Sequence, residues 1–235
     1  MITDWLTYIT RFDSAFREHI KGVSSSRILH LERLLGCELP GEYKDFLNLL
    51  GDDSYNLDLI YNGTTNLEDI IDFYEQPIEP GDEDLFSDYF VIGLGPPPTE
   101  MLLIDRNKSP GSIILGEPPG IIPHACSLGN FLYHKVFARF EVGSKKFRSA
   151  LISQMAIKQE MLISWANSEN LYVEIFSDKK NVCVTKRNTA VLLGTPPSQS
   201  THKTWVLIGS DDRNHIKYLE ESLAQSFELR MDQSG

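Results

Sequence analysis

Residues 24–50, SSSRILHLERLLGCELPGEYKDFLNLL, constrain the fold more than any other stretch of the chain. Ile28, Leu31 and Leu35 fall at i, i+3 and i+7, and Leu34 widens that stripe, so the spacing predicts an amphipathic helix. Ser24–Ser26 can cap its start. Gly36 stands where the helix must stop, because glycine takes the left-handed conformation without a Cβ clash. Pro40 suits the first turn of a second helix, where its missing N–H has no intrahelical partner to lose. There Tyr43, Phe46, Leu47 and Leu50 repeat the helical spacing, and Gly51 ends it. An ordinary helical hairpin covering a core meets the same requirements.

The elements around this pair predict an α+β fold, an antiparallel or mixed sheet flanked by helices. Residues 4–20 carry Trp5, Tyr8, Ile9, Phe12, Phe16 and Ile20 at helical spacing. LDLIYNG (57–63) reads as a short strand closed by Asn62-Gly63, and 66–76 as a helix with Asn66 at its N-cap. A β-meander is expected over 89–116, then an irregular connection at 116–125 and a helix from Ser127 to Glu141. VGSKKFRS makes a basic joint, so the domains are expected at 1–141 and 142–235. The second reads as αβββα: a helix over 149–166, strands LYVEIF, NVCVTK, AVLLG and TWVLIG, with the first two a hairpin turning at 177–180, and a helix over 213–227.

The charge is unevenly placed. The 235 residues carry a formal net charge of −11, yet there is no Lys, Arg or His between Lys44 and Arg106, where 15 acids lie. The rest of the chain holds 18 acids against 22 bases. Such a segment repels nucleic-acid phosphates and argues against DNA or RNA as its partner. It attracts a basic protein and speeds the encounter, an effect that salt weakens. Asp52, Asp53, Asp58, Asp82, Glu83, Asp84 and Asp88 offer the charge, and Tyr55, Tyr61, Tyr74 and Tyr89 interleave with them as candidate anchors. A merely solubilising acidic face fits the same residues.

No apolar run approaches the length of a membrane span, and MITDWLTYITRFDSAF lacks the basic start of a secretory signal, so a cytoplasmic address and no membrane partner are expected. The three cysteines, Cys37, Cys126 and Cys183, are odd in number and far apart, which argues against a disulfide framework. His124, Cys126 and His134 offer soft ligands, but no C-x-x-C or H-x-x-x-H pair stands beside them. GLGPPPTE lacks the third glycine of a dinucleotide fingerprint, and no phosphate-cradling or G-x-S-x-G motif is present. No catalytic residue, cofactor or metal is expected, and an enzyme with an unrecognised site is the least favoured reading.

Ile28, Glu32, Leu35-Gly36, Leu39-Pro40, Tyr43 and Phe46-Leu47 together resemble the opening signature of the SUKH superfamily, the family of the fungal cell-wall-assembly regulator and of many bacterial toxin-immunity proteins. The resemblance covers roughly 24–141, with Cys126–Leu132 in the place of the family's closing helix. Gly51-Asp52-Asp53-Ser54 departs from the Asn-Gly-Gly turn frequent in the family, and no tryptophan lies between Trp5 and Trp165. The resemblance implies a non-enzymatic protein-binding module. Toxin immunity is the favoured role, with a basic, nucleic-acid-targeting toxin domain as partner; an intracellular regulatory or scaffold protein binding a host protein is the alternative.

Overall fold

The structure is a computed structural model that describes residues 2–77, 87–96, 101–108, 111–116, 122–194 and 203–231. The chain divides into two compact units, Met1–Leu132 and Tyr133–Gly235.

In the first unit, α1 (Ile2–Ile9) and α2 (Phe16–His19) replace the single helix expected over 4–20. The break is a turn in which the Ala15 N–H donates to Asp13 Oδ1 at 3.1 Å. It lets Phe16 fold back edge-on against Trp5, ring centroids 5.8 Å apart, and both are fully buried. α3 (Ser25–Leu35) and α4 (Gly41–Leu50) are the expected pair. Gly36 has φ +66°, and the Cys37 N–H reaches back to the Glu32 carbonyl at 3.2 Å, a Schellman-type stop. Pro40 sits at the N-cap of α4 rather than inside its first turn, and its carbonyl accepts from Tyr43 and Lys44. α5 (Leu67–Glu75) begins as read, with the Asn66 side chain accepting from the Glu68 N–H at 2.8 Å.

Residues 57–63 form no strand. Leu57, Leu59 and Ile60 are buried, which gives the sequence its strand-like look, but Tyr55, Asn56, Asp58 and Asn62 all have positive φ. Asn and Asp tolerate that region better than other side-chain-bearing residues, so the segment coils instead of extending. Gly63 lies so close to β1 (Tyr89–Leu94) that a Cβ there would come within 2.3 Å of the Leu94 carbonyl oxygen. The neighbouring Thr64 makes an antiparallel bridge to Leu94.

The sheet of this unit is antiparallel, in the order β1, β2 (Met101–Asp105), β3 (Ile113–Leu115), β4 (Ile122–Ala125). Every residue of β2 and β3 is buried. β4 lies in the stretch expected to be irregular. Its Pro123 is tolerated because β4 is an edge strand, where one N–H need not join the ladder. α6 (Leu128–Val136) follows and ends in a π-helical turn, Phe137–Val142, so the helical run expected over 127–141 is present. The Leu128 N–H donates to Glu42 Oε2 at 3.2 Å, a carboxylate from α4 capping a helix 86 residues away.

The second unit is an antiparallel sheet in the order β10, β5, β9, β8, β7, β6. Its strands are β5 (Phe147–Ser153), β6 (Tyr172–Val173), β7 (Asn181–Lys186), β8 (Thr189–Gly194), β9 (Thr204–Ser210) and β10 (Arg230–Met231). The αβββα expectation therefore missed β5 and β10. Residues 147–153 pair along their whole length with β9, and only Gln159–Ser168 forms a helix, α7. LYVEIF contributes two strand residues, Tyr172 and Val173, paired with Thr185 and Val184 of β7. NVCVTK, AVLLG, TWVLIG and the closing helix, α8 (Arg213–Phe227), stand as read. Val182 and Val184, Val191 and Leu193, and Val206 and Ile208 alternate onto one face. There they meet Leu162 and Trp165 of α7 and Leu219 and Leu223 of α8.

Candidate functional site

The acidic segment lies in the first unit, and its centre is a polar cleft of about 380 Å³ formed by residues 50–69. Backbone bonds fix its rims. The Asp52 and Asp53 amides both donate to the Lys21 carbonyl at 2.9 Å, Lys21 N–H returns to the Asp53 carbonyl at 2.9 Å, and Leu67 N–H donates to Gly51 O at 2.7 Å. Asn66 ties the two sides together: its amide nitrogen donates to the Asp52 carbonyl at 2.7 Å while its oxygen caps α5. Asp52, Asp53, Asp58 and Asp69 line the cleft with Tyr55.

The absence of bases in the sequence segment is partly made up in space. Lys21 pairs with Asp52, Arg27 with Glu68 through a two-pronged contact, and Lys108 with Asp105 at 2.6 Å. His30 lies 3.6 Å from Glu75. The Lys21 hydrogen bond holds the Asp52 carboxyl below the usual range, and Asp52 in turn raises the Lys21 ammonium. Asp53 and Asp69 are engaged differently, by the Tyr55 amide at 2.7 Å and the Thr64 hydroxyl at 2.6 Å. Neither of those donors carries a charge, though Lys21 also attracts Asp53 through space.

The proposed anchors separate. Tyr61 is 74% exposed beside the cleft. Tyr55 is half-buried, stacked on His19 at 4.5 Å and edge-on to Phe16 at 5.9 Å, so its orientation is fixed before any partner arrives. Tyr89 is half-buried at the start of β1, and Asp88 beside it is exposed, accepting from the Asn107 side chain at 3.2 Å. Tyr74 is turned inward. Its hydroxyl accepts from the Val91 N–H at 2.7 Å, and burial pushes its phenol up to about 12, so it joins α5 to β1 rather than facing a partner. Asp82, Glu83 and Asp84 lie outside the described residues.

Sequence reasoning missed Asp69 as a cleft residue, and missed the cations Lys21 and Arg27 because they lie outside the acidic run. Asp69 was recoverable: it falls three residues after the predicted N-cap Asn66, in the first turn of α5. The family-signature residues are structural. Ile28, Leu39, Tyr43, Phe46 and Leu47 are buried, and Leu35 and Pro40 are half-buried. Glu32 Oε1 accepts the Leu39 N–H at 2.9 Å and lies 3.3 Å from Lys44 Nζ, which locks the loop between α3 and α4. The Leu39 bond, and after it Lys44, holds the Glu32 carboxyl below its ordinary range against desolvation.

A second, more apolar groove of about 660 Å³ runs along the outer face of α3, with Leu29 55% exposed and Cys37 at one end. Arg106 Nη2 donates to Cys37 Sγ at 3.2 Å. Among the described residues no group of three or more His, Cys, Asp or Glu could hold a metal ion. His134 is turned to Asn181 and the Phe176 carbonyl, and His124 packs edge-on against Phe131. Nor is any helix among the described residues long and apolar enough to cross a membrane.

No curated protein and no solved structure matches the chain. The model of the SMI1 / KNR4 family (SUKH-1) matches residues 22–141, just over half of the chain, from just before α3 into the helical run after β4. By that match the chain belongs to the SMI1 / KNR4 family (SUKH-1).

Proposed function

We propose that the chain is a non-enzymatic protein-binding module that docks a basic protein surface through the cleft of residues 50–69, with toxin neutralisation as its role. The observation that carries this reading is the cleft itself: Asp52, Asp53, Asp58 and Asp69 around one opening, next to the outward-facing Tyr61 and the pre-set Tyr55. Charge steers encounter but contributes little lasting affinity by itself, whereas a desolvated aromatic anchor supplies the slow dissociation. A toxin that acts on nucleic acid is basic at its working surface, and carboxylates placed there compete with phosphate for the same lysines and arginines.

The test is calorimetric titration of the full chain into candidate basic toxin domains at ~50 and ~500 mM salt, a range over which the Debye length shrinks about threefold. Affinity is expected to fall with salt, and to fall at least about tenfold when Asp53, Asp58 and Asp69 are changed together to Asn. Tyr61→Ala should weaken binding by raising the dissociation rate while leaving the salt slope in place. Salt-insensitive binding, or unchanged binding by the triple variant, would reject this surface.

A further inference from the structure

His134, in the second unit, is buried at 5% exposure and bridges the two ends of one hairpin loop. Its Nε2 lies 3.0 Å from the Phe176 carbonyl oxygen, and its Nδ1 lies 3.2 Å from Asn181 Nδ2. A carbonyl only accepts, so Nε2 carries the proton, and Nδ1 is then the acceptor for the Asn181 amide. The loop between those ends is tightly tied. Asp178 Oδ1 accepts from the Lys180 and Asn181 amides at 2.7 and 2.9 Å, Asp178 N–H donates to Asn181 O at 2.8 Å, and Ser177 Oγ accepts from Cys183 N–H at 2.9 Å. Phe176 is stacked on Tyr133 at 4.7 Å and edge-on to Phe137 at 5.9 Å, so the loop rests on the Tyr133–Val142 run through one aromatic cluster and one imidazole.

We propose that His134 is an acid-sensitive latch: neutral, it clamps the 174–181 loop onto the Tyr133–Val142 run, and protonated, it releases that loop. A proton added at Nδ1 faces the Asn181 NH₂, donor against donor, in a buried site. Turning the Asn181 amide over would present Oδ1 to the imidazolium, but only by placing the NH₂ where Oδ1 now sits beside Gly194. The groups around the imidazole do not rescue the charge. The Asp178 carboxylate favours the imidazolium, but burial outweighs its pull, leaving His134 below its usual range. β7 presents Cys183, whose thiol burial keeps un-ionised, and Glu174 accepts from the Thr185 hydroxyl at 2.6 Å. β8 and β9 carry no titratable side chain, α7 contributes the neutral Gln159 on the Asp178 carbonyl, and Lys179 and Lys180 of the turn are exposed.

The sign follows directly. With the folded value depressed, the closed state is fully favoured above the unfolded imidazole's value of about 6.5 and loses ground as pH falls below it, until the folded value is reached. Amide hydrogen exchange on the full chain, corrected for intrinsic rates, tests this at Asp178, Asn181 and Cys183. Opening of these amides is expected to rise between pH 7.5 and 5.5, by up to about tenfold. His134→Gln, which keeps a donor for Phe176 but cannot titrate, is expected to remove that rise. Equal protection at both pH values, or the same pH dependence in His134→Gln, would overturn the latch. Nitrogen-15 shifts of wild-type His134 give a reading independent of the variant's folding: a neutral Nε2–H tautomer at pH 6.5 supports it, and an Nδ1–H tautomer or a charged ring at that pH overturns it.

Discussion

Glu32 shows how one side chain can decide whether a short motif folds. It reaches from α3 to the Leu39 amide and to Lys44 on α4, so the same carboxylate fixes the connecting loop and the second helix. Glu32→Ala should destabilise the protein by about 1–2 kcal/mol, read from the urea midpoint, and Glu32→Gln by less, because an amide oxygen can still accept from Leu39. Since the folded carboxyl is depressed, its stabilisation is fully present above the unfolded value near ~4.3 and is lost as pH falls through the folded one. The gap between wild type and Glu32→Gln should therefore close in acid. Residues of this kind are half-legible in sequence. Gly36 and the buried Ile28, Tyr43 and Phe46 follow from spacing alone, but nothing local says that Glu32 turns toward Leu39, seven residues on. Tyr74 failed for the same reason: its place between acids suggests display, and only the Val91 amide, 17 residues away, explains why it points inward.

At the scale of the element, Asn66 joins the cleft to α5 by accepting from Glu68 and donating to the Asp52 carbonyl. Asn66→Ala should destabilise by about 1–2 kcal/mol, whereas Asn66→Asp, which keeps the cap but loses the donor, should fall between the two. α5 was readable because its cap, its apolar stripe and its length agree. The misread elements lack that agreement. SALISQMAIKQEMLISWA has apolar residues at helical spacing throughout, yet its first part is β5, because seven consecutive pairings with β9 override a helical period. LDLIYNG has the alternation of a strand, yet four positive-φ residues from Tyr55 to Asn62 coil it into the wall of the cleft. That coiling is what gathers the candidate site. Position in the sequence put the acids in one segment, but the left-handed turns and the Lys21–Asp53 backbone exchange put them around one opening, and neither is visible in composition.

For the molecule as a whole, the formal charge of −11 understates how local the effect is. Lys21, Arg27 and Lys108, all outside the acidic run, pair with Asp52, Glu68 and Asp105, so part of its charge, one cleft carboxylate included, is matched in space. Residues 22–141 belong to the SMI1 / KNR4 family (SUKH-1), and the cleft of residues 50–69 lies within that match. The most direct test of that assignment is a hydrogen-exchange footprint of the full chain, free and saturated with a basic partner protein that binds it. Docking at the cleft predicts new protection over residues 50–69, lost again at ~500 mM salt as screening shortens the reach of the carboxylates. Protection confined to other parts of the chain, with 50–69 exchanging as in the free protein, would contradict it.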